Sequence, residues 1–85
     1  MEIGTNKEKE IVIGGIYKHF KGDYYKVLTV GKDSEDLKDM VVYISLYYKA
    51  EKETRVWIRS LEDFIGMKEL EDGSKIERFK IISNN

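Results

Sequence analysis

The eight residues Val41-Val42-Tyr43-Ile44-Ser45-Leu46-Tyr47-Tyr48 restrict the fold of this chain more than any other stretch. Six of the eight are β-branched or aromatic, and only Ser45 is plainly polar. Such side chains pack well on a pleated surface, which predicts a central strand. Residues 49–53 supply a short charged turn, and Thr54-Arg55-Val56-Trp57-Ile58-Arg59-Ser60 returns in strict alternation, so residues 40–60 read as a β-hairpin. A symmetric turn sets Leu46 opposite Val56 and Ile44 opposite Ile58 on an apolar inner face. The other face then pairs Tyr47 with Arg55, Ser45 with Trp57 and Tyr43 with Arg59. Directly opposed side chains have Cβ atoms roughly 5 Å apart. Arginine over an aromatic ring is easy at that distance and contributes about 0.5–1 kcal/mol at an exposed site. A slip of one residue would drive both arginines inward. The expectation is that valine and isoleucine turn inward while arginine and tryptophan turn outward.

At 85 residues the chain is one small domain, close to the size at which apolar burial only just outweighs chain entropy. The absence of cysteine excludes disulfides, thiolate metal sites and a cysteine nucleophile, and fits a reducing compartment. Fifteen Lys and Arg against sixteen Asp and Glu leave a formal charge of −1. That balance lacks the basic excess of a protein that binds nucleic acid chiefly through phosphates, although it permits a local basic patch. Residues 1–6 carry neither a basic leader nor an apolar core segment of the signal-peptide type. No apolar run approaches the ~20 residues of a membrane helix. The expected protein is cytoplasmic, with no membrane partner.

In chain order, residues 1–10 are expected to form a flexible tail, with Lys7-Glu8-Lys9-Glu10 alternating in sign. Ile11-Val12-Ile13 suits a short first strand ended by Gly14-Gly15, and residues 16–20 a second strand. Lys21-Gly22-Asp23 is a tight turn in which Gly22 takes positive φ. Residues 24–30 form a strand with apolar groups on both faces, a pattern that calls for a bulge. A charged connection over 31–39 leads into the hairpin. Ser60-Leu61-Glu62-Asp63 has the form of a helix N-cap, followed by a helical turn over 61–65 that presents Leu61, Phe64 and Ile65 to the sheet and stops at Gly66. After a turn at Glu71-Asp72-Gly73-Ser74, residues 77–82 are the last strand and 83–85 a frayed end. The prediction is a mainly β, SH3-like barrel or roll over residues 11–82, with five or six short antiparallel strands and one short helical turn.

Several of these motifs together resemble a known family. His19-Phe20-Lys21-Gly22, Tyr25-Lys26-Val27-Leu28, Ser34-Glu35, Val41-Val42-Tyr43, Leu46-Tyr47, Trp57-Ile58-Arg59, Phe64 and Arg78-Phe79 stand in the order and spacing of the small bacterial domain-of-unknown-function family 1653. The resemblance covers about residues 15–79. It implies an SH3-like barrel and a stand-alone bacterial cytoplasmic protein, and it brings no biochemical activity with it. Two departures stand out. The family usually has proline where Ser60 follows the Trp-x-Arg motif, and glycine in the turn where Tyr48-Lys49-Ala50-Glu51-Lys52-Glu53 is charged.

Candidate chemistry is sparse. His19 is the single histidine, suited to proton transfer or anion contact, or to a plain backbone hydrogen bond in a strand. One histidine, no cysteine and scattered carboxylates give no metal site and no cofactor site. Serines at 34, 45 and 60 lack any nucleophile-activating motif, and the single glycine after Lys21 makes a turn rather than a phosphate loop. The best candidates for binding are His19, Lys21, Tyr43, Tyr47, Trp57, Arg59 and Arg78, with Ser34, Glu35 and Arg55 as secondary members. Trp, Tyr and Arg dominate recognition hot spots. Such a set suits a peptide, single-stranded nucleic acid or a small anion. Arg78 suits a structural pairing with Glu35 or Asp63 equally well. The leading expectation is a non-catalytic binding module. Its rivals are a small enzyme or enzyme accessory with His19 and Glu35 as acid and base, and a homodimer joined through the same aromatic face.

Overall fold

The computed structural model describes residues 11–47 and 55–84. The expected N-terminal tail and the turn at 49–53 lie outside the described residues. The chain is mainly β, as expected. Its elements are β1 (Ile16–His19), β2 (Tyr24–Lys32), β3 (Asp39–Ser45), β4 (Val56–Ser60), α1 (Leu61–Ile65), β5 (Met67–Glu69), β6 (Lys75–Glu77) and β7 (Phe79–Ser83). Five strands form one sheet in the order β4-β3-β2-β1-β7, and β5 and β6 pair as a separate ribbon. The pairings are antiparallel. The larger sheet does not close on itself, since β4 and β7 are its edges.

Local chemistry explains the hairpins. Gly22 sits at φ +112° in the β1–β2 turn, where the His19 N–H donates to the Asp23 carbonyl at 2.8 Å. The bulge called for in β2 falls between Val27 and Thr29, where the register to β3 shifts. It resolves the two-sided pattern, because Tyr25 and Val27 face the core before it and Val30 after it, while Leu28 is pushed outward. Ser60 caps α1 by accepting the Asp63 N–H at 3.2 Å. Gly66 ends the helix, and a Cβ there would meet the Glu62 carbonyl at 2.9 Å. Leu61 and Phe64 are buried under the helix and Ile65 is half-buried.

Several expectations are corrected. Residues 11–13 are not a strand. Gly14, at φ +86°, turns the segment back so that the Gly15 N–H donates to the Val12 carbonyl at 2.9 Å, and Ile11 plugs the core instead. The last strand is broken at Arg78: the segment before it pairs with β5, and the segment after it pairs with β1. Together with β5 the break raises the strand count among the described residues to seven. Ser83 is no frayed end, because it closes β7 opposite Ile16.

The largest correction concerns the β3–β4 hairpin. Tyr43 lies opposite Trp57, Val41 opposite Arg59 and Ile44 opposite Val56, a register two residues from the expected one. The faces are also exchanged, and the register is not the cause, because a two-residue shift keeps each side chain on its own face. The core face is the one carrying Val41, Tyr43 and Arg59, whereas Val56 and Ile58 stand 44% and 65% exposed on the other. The reason is volume and cover. α1 folds back over the Val41–Tyr43 side, and the core is built from Tyr17, Val27, Val41, Tyr43, Leu61, Phe64 and Phe79, with Ile11 at its edge. Phe64 and Phe79 stack at 4.1 Å, and Tyr17 and Tyr43 meet Phe64 edge-on at 5.1 and 5.2 Å. Aromatic pairs contribute about 0.5–1.5 kcal/mol beyond the area they bury. Arginine is tolerated on that face because its stem covers apolar surface while its head stays part-solvated.

Candidate functional site

At one end of this aromatic core, side chains from most of the fold converge. β1 delivers His19 on its last residue, and β2 delivers Tyr25. β3 and β4 deliver Tyr43 and Arg59, and the bend between β6 and β7 delivers Arg78. Phe79 forms the floor: the His19 ring lies 4.8 Å from it, Tyr43 5.4 Å, Tyr25 5.8 Å, and the Arg59 guanidinium 5.7 Å above its centroid. The backbone of Arg78 is fixed on both sides, donating to the Gly66 carbonyl at 3.0 Å and accepting the Phe20 N–H at 2.9 Å.

The protonation states are set by these contacts. His19 Nδ1 accepts the Lys21 N–H at 3.1 Å, so the neutral ring carries its proton on Nε2, a donor. Burial, then the positive charges of Arg59, Lys21 and Arg78, hold His19 below its ordinary pKa, opposed by Asp23. Tyr25 is pushed up by burial, by Asp23 and by Tyr43, against the pull of Arg59, so it stays a protonated donor at neutral pH. Arg59 donates from Nε to the Tyr43 hydroxyl at 3.2 Å, and no ion pair engages Lys21, Arg59 or Arg78 among the described residues. The Nε of Arg78 is buried without a hydrogen-bond partner. Three cations therefore gather around one neutral imidazole in a chain whose net charge is −1.

The sequence candidates sort cleanly against this geometry. His19, Tyr43, Arg59 and Arg78 come together on the core side of the sheet rather than on an outward face, with the exposed Lys21 beside them in the β1–β2 turn. Tyr43 is only 5% exposed and supplies its hydroxyl rather than its ring surface. Trp57, cross-strand from Tyr43 and two residues from Arg59, is 45% exposed beside the cluster. Arg55 Nη2 donates to the Ser45 carbonyl at 3.0 Å. Tyr47 is 66% exposed beyond the end of β3, held by hydrogen bonds with the Ser45 hydroxyl. Ser34 and Glu35 belong to the β2–β3 turn, where the Glu35 N–H donates to Asp33 Oδ1 at 2.8 Å. That turn lies past the far end of β2 from His19. Nine residues of strand at about 3.3 Å per step separate the two by about 25 Å. The proposed acid and base cannot share a substrate, and Arg78 pairs with neither Glu35 nor Asp63. Sequence pattern alone does not single out Tyr25 and Phe79 as site members. Tyr25 sits in the strand whose inward side the alternation leaves open, and Phe79 gains its role only from the break at Arg78.

One hollow lies beside this region and another at the far end of β2. The first, of about 290 Å³, is lined by Lys18, His19, Phe20, Ile76, Glu77 and Lys80. The second, of about 240 Å³, beside Leu37 and Leu61, has no comparable gathering of cations. No group of three His, Asp or Glu side chains able to hold a metal exists among the described residues.

A family model described as a protein of unknown function, DUF1653, matches residues 15–81. The chain belongs to the DUF1653 family. Every member of the cluster, from His19 to Phe79, falls inside the matched stretch. A crystal structure of a DUF1653 protein from Bordetella bronchiseptica is similar at 28% identity with a TM-score of 0.71, covering 82% of this chain and 86% of that one. No curated protein matches. Membership in DUF1653 supports the fold and attaches no reaction to the cluster.

Proposed function

We propose that this DUF1653 chain is a non-catalytic binding module that takes an anionic group at the mouth formed by His19, Tyr25, Arg59 and Arg78. The observation carrying this reading is the buried, unpartnered Nε of Arg78 within a group of cations that no carboxylate ion-pairs among the described residues. A buried donor left unsatisfied costs about 1–3 kcal/mol, and more on a charged group. An anion that the Arg78 guanidinium turns to meet removes that cost and gains charge-assisted hydrogen bonds, which are roughly twice as strong as neutral ones. Peptide and single-stranded nucleic acid remain within the class, as carriers of a carboxylate or phosphate.

Calorimetric titration with inorganic phosphate, acetate and a short oligothymidylate tests this directly. Saturable binding of at least one anion is expected, lost in Arg59→Gln and Arg78→Gln and retained in Ile58→Thr on the opposite face. Wild-type protein that takes up none of the three at millimolar concentration would remove the reading. Salt separates the modes, since contacts led by many phosphates weaken steeply as ionic strength rises and a single-group site weakens little.

A further inference from the structure

The kind of anion can be narrowed. The inference rests on the anion-binding reading and adds a charge and a shape to it. Around the neutral His19 ring stand Arg59, Arg78 and Lys21, with Asp23 the one acidic group that opposes them. Among the charges that act on His19 the cations outnumber the carboxylate, which favours an anion carrying more than one charge. The donors also come from separate directions. They are the guanidinium of Arg59 on β4, the guanidinium of Arg78 at the β6–β7 bend, His19 Nε2 at the end of β1 and the Tyr25 hydroxyl on β2. A planar carboxylate offers two oxygens in one plane. A phosphate monoester offers three terminal oxygens in a tetrahedral spread, and arginine forks match them bidentately.

Beside these donors lies a surface that the core does not use. Trp57 occupies the same face of the hairpin as Arg59, opposite Tyr43, whose hydroxyl Arg59 engages. It is 45% exposed and makes no ring contact among the described residues. Trp57 and Arg59 are two residues apart on one strand, about 7 Å, so a ring joined to the bound phosphate through a pentose-length linker reaches the indole. We propose that the cluster binds the dianionic phosphate of a small aromatic phosphate monoester, with its ring laid on Trp57.

The test uses the full chain and a panel of inorganic phosphate, a nucleoside 5′-monophosphate, the matching nucleoside, ribose 5-phosphate and benzoate. Tryptophan fluorescence and phosphorus NMR provide the readouts. The nucleoside monophosphate is expected to bind at least about tenfold more tightly than benzoate, one charged hydrogen bond being worth about that factor. Its phosphorus resonance should titrate at lower pH when bound, because cations favour the dianion. Trp57→Ala should weaken the nucleoside monophosphate several-fold and leave inorganic phosphate unchanged. Arg78→Gln should abolish both, and Arg78→Lys should restore part of the affinity. Folding of each variant is verified by its proton–nitrogen spectrum, and Arg59→Gln serves as the second probe of the anion pocket.

Benzoate binding as tightly as the nucleoside monophosphate overturns the dianion while leaving the anion-binding module standing. Ribose 5-phosphate equalling the nucleoside monophosphate, with Trp57→Ala silent, overturns the place assigned to the ring. Absence of binding by every anion in the panel overturns the inference and the reading beneath it together.

Discussion

The two faces of the β3–β4 hairpin make opposite use of similar residues. One face carries Val41, Tyr43, Trp57 and Arg59, and it holds the core and the cation cluster. The other carries Val42, Ile44, Val56 and Ile58, the more aliphatic set, and most of it stands in solvent or half-buried. Ranking by hydrophobicity alone chooses the wrong side. What decides is which face a covering element can reach: α1 starts at the residue after β4 and has no connection long enough to cross to the far side. Once Phe64 is laid there, aromatic rings fill the space better than β-branched side chains, and the one arginine that must share the face finds a hydroxyl and a ring to lean on.

The sharpest way to break this comparison is to delete one side chain from each face. Phe64 is fully buried, stacked on Phe79 and in contact with Tyr17 and Tyr43. Phe64→Ala should cost about 3–5 kcal/mol in urea denaturation, a large share of what a domain of this size possesses. Ile58→Ala on the opposite face should change stability by no more than about 0.5 kcal/mol. Comparable losses from the two variants would mean that the faces had been assigned the wrong way round.

What could be read from the chain alone divides along the same line. Features set by neighbours in sequence were legible: the Gly22 turn, the bulge in β2, the Ser60 cap and the stop at Gly66 each depend on a few adjacent residues. Features set by distant packing were not. The inward side of the hairpin depends on where α1 lies, and the break at Arg78 depends on β5, three residues too short to announce itself. The site shows the same pattern. Arginine, histidine and tyrosine were recognisable as recognition chemistry, but their meeting point depends on β7 bringing Phe79 beneath residues from β1 and β4.

A smaller effect probes how the core face accommodates a charge. Tyr43→Phe keeps the ring and removes only the acceptor of the Arg59 Nε–H bond. A loss of about 1 kcal/mol is expected, read as a lower denaturation midpoint at unchanged slope. No change would mean that Arg59 is held by Phe79 alone.

His19 gives the comparison a pH axis, because the histidine sits only on the cluster side. Its own burial acts on it first, then Arg59, Lys21 and Arg78, opposed by Asp23, and Tyr25 lies edge-on to its ring. Its pKa is lowered in the folded chain, so below about 6.5 the unfolded chain takes up the proton first. The stability His19 contributes is therefore complete above that pH and declines as pH falls through the folded value. Melting curves from pH 7.5 to pH 5 should show this decline in wild type and a flatter one in His19→Gln. Identical slopes would show that neither burial nor the cations lower the imidazole pKa.

The last and smallest effect bears on what the cluster is for. If Arg78 served the fold, replacing it would destabilise the protein. Its backbone bonds to Gly66 and Phe20 survive any substitution that keeps the main chain, and its side chain contributes a buried donor with nothing to meet. Arg78→Gln should therefore leave the ligand-free protein as stable as wild type or raise stability by up to about 1 kcal/mol, since it relieves repulsion and removes a buried Nε–H that has no acceptor. On the outer face a surface substitution of similar size is neutral for a different reason, the absence of contacts. The two cases separate on adding phosphate, which should raise the melting temperature of wild type and of an outer-face variant while leaving Arg78→Gln unmoved. A side chain whose removal improves the empty protein and silences the response to an anion is one retained for binding rather than for folding.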